Sequence, residues 1–324
     1  MKKILIINRL GIGDVVLTTP LAQAIKEQFL VHIGFVVSPK AVDILKNHPY
    51  IDEVFSYRQP SKQIMLEQLR EGNYDEALIV DERFSSTLLA LKAGCRLLNK
   101  GFEISIGKRR LFSGKCYSSR AIDNYSSYLK YLNPKSAIPC LPPTVGYVDS
   151  ESEQKIELWF RKYRFYNKKL MLVAARGLSD NKNWPCDYFA VLNEYLNKQG
   201  ITPVYLGSNN DRDYIEAIQG NKINAAGYFN LREVAVLAQH AALSLTMCTG
   251  AMHVIATAKT PILAIYGPTS AERWAPTHAT VLQADLLCVP CQHLGCANKT
   301  YKQCMVEVTP QKVIAKIEAE QWLS

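Results

Sequence analysis

Short apolar runs alternate with amphipathic stretches along the first half of the chain. ILII (4–7) precedes a helical pattern from Thr18 to Phe29, and HIGFVV (32–37) precedes AVDILKNH (41–48). EVFSY (53–57) precedes KQIMLEQLREG (62–72), and EALIVD (76–81) precedes SSTLLALKAG (85–94). Strands alternating with helices predict a mainly parallel sheet covered on both faces. The right-handed crossover rule makes that a Rossmann-like layer. Residues 133–149 hold four of the fifteen prolines and mark a boundary. The rhythm then restarts with a helix over 151–164, a strand over 169–177 and a helix over 188–200. Strands follow at 202–208, 242–247 and 261–267, with helices at 211–220, 230–241 and 310–323. The pattern predicts an α/β chain of two Rossmann-like domains, 1–150 and 151–324, facing a central cleft. Ligands are expected at the carboxyl ends of the strands.

Length and composition narrow this picture. The 324 residues suit two domains, and 48% apolar with 21% charged residues is a soluble globular balance. No run of 18 apolar residues is present. The start, MKKILIINRLGIGD, reads as a buried first strand: its apolar run is short and ends in Asn-Arg, with no small-residue cleavage site after it. A net charge of +9 favours an anionic partner. No zinc finger, RNA-binding aromatic motif or long Lys/Arg block is found, so nucleic acid is the least expected of such partners.

Five of the nine cysteines are scattered (Cys95, Cys116, Cys140, Cys186, Cys248), as in a reducing compartment. The other four, Cys288, Cys291, Cys296 and Cys304, form C-x2-C-x4-C-x7-C. Four thiolates at this spacing suit a structural zinc or iron ion, although the middle gap is short for a zinc module. Free thiols or disulfides are the alternatives.

Candidate chemistry sits where strands end. GIGDVVLTTP (11–20) has a glycine-rich turn, but Val16 occupies the place of the third glycine of a dinucleotide loop, and Asp14 stands at its mouth. Asp14 is either a helix cap or a general base. CTGAMH (248–253) suits either an anion site at a helix start or an ordinary cap by Thr249. DNKNWP (180–185) offers Lys182 as a point charge for a phosphate, or as a solvent-facing lysine. Asp211, in GSNNDRD (207–213), is a favoured helix-start carboxylate or a ribose contact, and YGPTSAERW (266–274) is a turn beside a donor or simply a turn.

Together GDVVLTTP (13–20), KNWP (182–185), TGAMH (249–253), YGPT (266–269) and the cysteine-rich tail resemble the heptosyltransferases of lipopolysaccharide inner-core assembly, glycosyltransferase family 9. The resemblance covers nearly the whole chain. It implies a GT-B fold whose last helix crosses back to the first domain. It implies metal-independent, inverting transfer of a heptose from ADP-heptose to a sugar hydroxyl of a lipid-linked core oligosaccharide. The setting would be the cytoplasm, peripheral at the anionic face of the inner membrane. In that picture Asp14 matches the proposed base and Lys182 the lysine that neutralises the leaving diphosphate. Asp211 and Ser179 fall near the nucleotide, and Phe229 where a backbone contact to adenine is expected. Thr249, Gly250 and Ala251 match the diphosphate-binding helix start, and His253 a support of that loop. Pro268 and Thr269 match the donor-side turn, and Gly13, Thr18 and Thr19 the acceptor side. One position departs: the family usually reads Asp-Thr-Gly where this chain has Cys248-Thr249-Gly250. A thiol carries no such charge and accepts weakly. A GT-B enzyme using another nucleotide sugar, or a non-catalytic nucleotide-binding member, therefore stays open. A dehydrogenase is disfavoured by the missing glycine and the lack of a hydride-transfer site.

Overall fold

A computed structural model describes residues 1–99, 104–106, 109–112, 118–293, 295–296 and 300–323. Cys116 lies outside them. Two units result, Met1–Tyr147 and Val148–Ser324.

In the first unit, five parallel strands run in the order β3-β2-β1-β4-β5. They are β1 (Lys2–Asn8), β2 (Val31–Val37), β3 (Glu53–Ser56), β4 (Glu76–Ile79) and β5 (Arg96–Leu97). Ile4 to Ile7 of β1 are fully buried, because helices cover both faces of the central strand. The connecting helices are α1 (Ile12–Val16), α2 (Thr19–Gln28), α3 (Val42–Leu45), α4 (Lys62–Glu71) and α5 (Phe84–Lys92). One core joins Leu5, Ile7 and Val36 to Met65 and Leu69 of α4 and Leu89 and Ala90 of α5. A short antiparallel pair, β6 (Ile104–Ile106) and β7 (Arg109–Phe112), precedes α6 (Ala121–Ser126).

The second unit repeats the plan with one strand more, β10-β9-β8-β11-β12-β13, all parallel. Its strands are β8 (Leu170–Ala174), β9 (Thr202–Tyr205), β10 (Ile223–Asn224), β11 (Leu243–Met247), β12 (Ile262–Tyr266) and β13 (Ala279–Gln283). The helices are α7 (Ser150–Tyr163), α8 (Cys186–Lys198), α9 (Arg212–Ala217), α10 (Leu231–Gln239), α11 (Gly250–Ile255), α12 (Ala271–Trp274), α13 (Gln303–Val306) and α14 (Pro310–Ala319). Asp149 caps α7 by accepting from the Ser152 amide at 3.0 Å. Trp184 is fully buried, meets Phe189 edge-on at 4.9 Å and donates its indole N–H to the Val308 carbonyl at 2.6 Å. That bond pins the tail to the sheet without leaving a polar group unpaired. The last helix, α14, buries Val313 and Ile317 in this same core.

Both sheets change direction of strand order at one place, beside β1 and β4 in the first unit and beside β8 and β11 in the second. The loops leaving adjacent strands diverge there, and open α/β sheets bind their ligands at such points.

Candidate functional site

At the first switch point, the turn after β1 holds Asp14 by both carboxylate oxygens. Oδ2 accepts from the Gly11 amide at 3.1 Å, and Oδ1 accepts from the Tyr125 hydroxyl of α6 at 2.5 Å. Two donors on separate oxygens fix the plane of the carboxylate, which stays only partly buried. Beside it, Arg9 donates from Nε to Asp81 Oδ2 at 3.0 Å and from Nη2 to Ser85 at 2.7 Å, and lies over the Tyr57 ring. This buried pair joins the ends of β1 and β4 beneath the turn.

The residues expected to face the acceptor serve the turn instead. Thr18 and Thr19 are fully buried. Thr18 donates to the Asp14 carbonyl at 2.7 Å and accepts from Asn8 at 2.9 Å. Thr19 Oγ1 lies 2.8 Å from the Val16 carbonyl and accepts from the Thr144 amide at 2.9 Å. Gly13 is buried within α1. Thr18 and Thr19 hold the loop that carries Asp14, with their hydroxyls already paired.

At the second switch point, the loop after β8 folds back on the end of β11. Gly177 donates its amide to Asn183 Oδ1 at 2.7 Å. A Cβ on Gly177 would stand 3.2 Å from the Lys182 Cβ and 3.7 Å from the Cys248 carbonyl, so the lack of a side chain allows the close approach. Cys248 is pushed up by burial, against the pull of the Lys182 ammonium and hydrogen bonds with Thr269 and Tyr266. Cys248 thus bonds Thr269 within the field of the Lys182 ammonium, and it is a neutral thiol there at pH 7. Ser179 begins the same loop and donates to Asn181 Oδ1 at 2.8 Å. Pro268 accepts from the Gln292 amide at 2.7 Å.

The other residues expected on the donor side have duties within the fold. Thr249 caps α11, accepting from the Ala251 amide at 3.1 Å, so one amide of the Gly250–Ala251 helix start is already satisfied. Burial lowers His253 to about 4, and its neutral ring lies edge-on to Trp274. Asp211 Oδ2 accepts from the Ser208 amide and hydroxyl at 2.8 and 2.7 Å, and Oδ1 from Arg176 at 3.2 Å. Asp211 thus builds its loop and brings Arg176 to the site's edge. Phe229 packs edge-on against Trp159 at 5.1 Å.

Among the described residues, no group of three or more His, Cys, Asp or Glu side chains stands ready to hold a metal ion. No helix among them is long and apolar enough to cross a membrane.

A comparison with known families matches residues 64–302 to glycosyltransferase family 9 (heptosyltransferase). The chain belongs to glycosyltransferase family 9. Lipooligosaccharide heptosyltransferase 2 of Haemophilus influenzae is 24% identical, the match covering 97% of this chain and 98% of that protein. A family 9 glycosyl transferase from Veillonella parvula superposes with a TM-score of 0.79 at 22% identity, covering 99% of this chain and 97% of that one. ADP-heptose lps heptosyltransferase II of E. coli gives 0.76 at 20% identity, covering 100% and 98%. These likenesses establish the GT-B fold, and family membership makes the chain a glycosyltransferase.

Sequence reasoning missed Tyr125, because 111 positions separate it from Asp14 and no local pattern joins them. For this family 9 enzyme, Tyr125→Phe is expected to lower kcat about tenfold, the weight of one charge-assisted hydrogen bond. An unchanged kcat would reduce Tyr125 to a packing residue.

Proposed function

We propose that the chain transfers a heptose from ADP-heptose, with inversion, to a sugar hydroxyl of the lipopolysaccharide inner core. The observation that carries this reading is the fixed carboxylate at the first switch point of a family 9 glycosyltransferase. Asp14 takes the proton from the acceptor hydroxyl as its oxygen bonds to the anomeric carbon. The bond from that carbon to the diphosphate breaks, and the charge leaving with ADP is met by Lys182. Inversion requires base and leaving group on opposite faces of the anomeric carbon. Asp14 is the base and Lys182 the counter-charge in this reading. No metal ion is needed for this step. The related E. coli enzyme named for ADP-heptose supports the choice of donor.

The acceptor is lipid-linked, and the first unit offers a face for its membrane. Phe84, Leu88 and Leu91 of α5 are 61%, 38% and 53% exposed, with Arg83 and Lys92 exposed at the two ends. With a net charge of +9 this stripe suits the anionic surface of the inner membrane, from the cytoplasmic side. The test is turnover of ADP-heptose with a series of truncated core acceptors, and sedimentation with anionic vesicles at low salt. No transfer despite ADP binding would sink the donor assignment, and no sedimentation would sink the membrane reading.

Cys248 favours a second reading, a different nucleotide sugar. The family aspartate would offer the donor sugar a charged acceptor, whereas this thiol is neutral and weakly accepting. Cys248→Asp is expected to raise kcat/KM for ADP-heptose over ADP-hexoses by roughly 10-fold, about the value of one charged hydrogen bond. If the preference between donors does not move, the position does not read the sugar.

A further inference from the structure

The loop that leaves β8 at the second switch point carries two cations, Arg176 and Lys182, and one acid, Asp180, between Ala175 and Pro185. The acid is engaged by the tail. Tyr301 donates to Asp180 Oδ2 at 3.1 Å, and Lys302 reaches the same oxygen at 3.3 Å. Like charges gathered on one short loop repel, and an anion bound beside both relieves that repulsion. Lys182 already has a part in the proposed reaction, as the counter-charge of the leaving diphosphate. Arg176 has none.

Arg176 lies two residues beyond the end of β8 and is held on two sides. Its Nη1 donates to Asp211 Oδ1 at 3.2 Å, and its guanidinium lies over the Tyr214 ring, 5.1 Å from the ring centre. Asp211 is itself fixed, because its Oδ2 accepts from the Ser208 amide and hydroxyl. Gly207, at the end of β9, leaves room for this, since a Cβ there would stand 2.8 Å from the Asp211 Cβ. The Arg176 side chain is nonetheless 42% exposed. An ion pair so open to water adds little to stability. What the pair provides is orientation. Among the described residues only Nη1 is given to a protein acceptor, so the rest of a planar fork of N–H donors stands ready at the carboxyl end of the sheet. Such a fork matches phosphate oxygens two at a time.

We infer that Arg176, oriented by Asp211 and Tyr214, binds the α-phosphate of the donor nucleotide. The inference rests on the donor reading above. In that reading Asp211 falls near the nucleotide, so the guanidinium it holds lies on the nucleoside side of Lys182. The α-phosphate goes to Arg176, and the phosphate that breaks from the sugar goes to Lys182. No spacing rule pointed to this residue, because its two supports come from the loop and helix after the next strand.

The test uses the full chain and three probes, ADP, AMP and adenosine, with calorimetry for the nucleotides and ligand-observed NMR for the nucleoside. Arg176→Met is expected to weaken ADP and AMP by roughly tenfold, the weight of one charged hydrogen bond, and to leave adenosine unchanged. Arg176→Lys should recover only part of the loss, since an ammonium restores the charge without the fork. Lys198→Met removes the same charge from an exposed ion pair on α8 and should change none of the three. Unchanged ADP and AMP affinities in Arg176→Met overturn the contact. A loss for ADP with AMP unchanged overturns the α-phosphate assignment, and an equal loss for adenosine overturns a phosphate contact altogether. Wild-type protein that binds UDP and UMP but neither ADP nor AMP overturns the adenine donor, and the same variants with UDP, UMP and uridine then decide Arg176. Wild-type protein that binds none of these nucleotides overturns both readings.

Discussion

Asp14→Asn is expected to lower kcat by roughly 10²–10⁴-fold, the usual contribution of a positioned general base. The amide matches the carboxylate in size, and its carbonyl oxygen can still accept from the Gly11 amide or the Tyr125 hydroxyl that Asp14 engages. What it loses is the capacity to take a proton. ADP affinity should therefore hold within about twofold, because the substitution changes none of the residues proposed to bind the donor. Steady-state turnover at saturating donor, beside an ADP titration, reads both quantities. A kcat within about tenfold of wild type would remove Asp14 from the base role, since that lies below the range for general-base catalysis. A matching fall in ADP affinity would mean that the substitution disturbed the fold.

Lys182→Met is expected to lower kcat/KM for the donor by roughly 10²–10³-fold, the scale of removing one electrostatic contact to developing charge. Methionine keeps the length and apolar stem of the lysine and deletes only the ammonium. In the proposed reaction the leaving diphosphate gains charge as its bond breaks, so more of the loss should fall on kcat than on ADP affinity. The substitution also removes a cation that lowers the Cys248 thiol, so that thiol should rise further and alkylate more slowly. In a variant whose other cysteines are serine, the rate of iodoacetamide labelling at Cys248 reports this directly. A loss carried wholly by KM would make Lys182 a binding residue with no preference for the transition state.

The architecture was legible because parallel strands buried on both faces leave continuous apolar runs. β1, β2, β4, β8, β11 and β12 all show one. The edges were harder to read. β5 and β10 are two residues each, and all five residues of β13 are half-buried, so none produces a run. Local chemistry was legible only as alternatives. A capping threonine and a phosphate-binding helix start have the same sequence, and only the bond from the Ala251 amide to Thr249 shows the capping role filled. Asp211 is similar: the Ser208-x-x-Asp211 spacing of a capping box foretells the bond from the Ser208 amide, but no spacing rule foretells the one from Arg176. Thr18 and Thr19 looked accessible because they follow the turn, yet the apolar neighbours Val15, Val16 and Leu21 carry them inside. The cysteine spacing was visible, but it assembles no metal-holding group among the described residues.

The division of the chain at Tyr147–Val148 separates Asp14 and Tyr125 from Lys182, Cys248 and the tail cysteines. Each half carries its own core and its own switch point, so the two can diverge at different rates. On the proposed division of roles, drift in the first half would alter which hydroxyl is glycosylated while the activated sugar stays the same. Recombination between relatives near that junction would exchange acceptors in one step. A lineage could thus vary its surface glycan without rebuilding the machinery that handles the nucleotide.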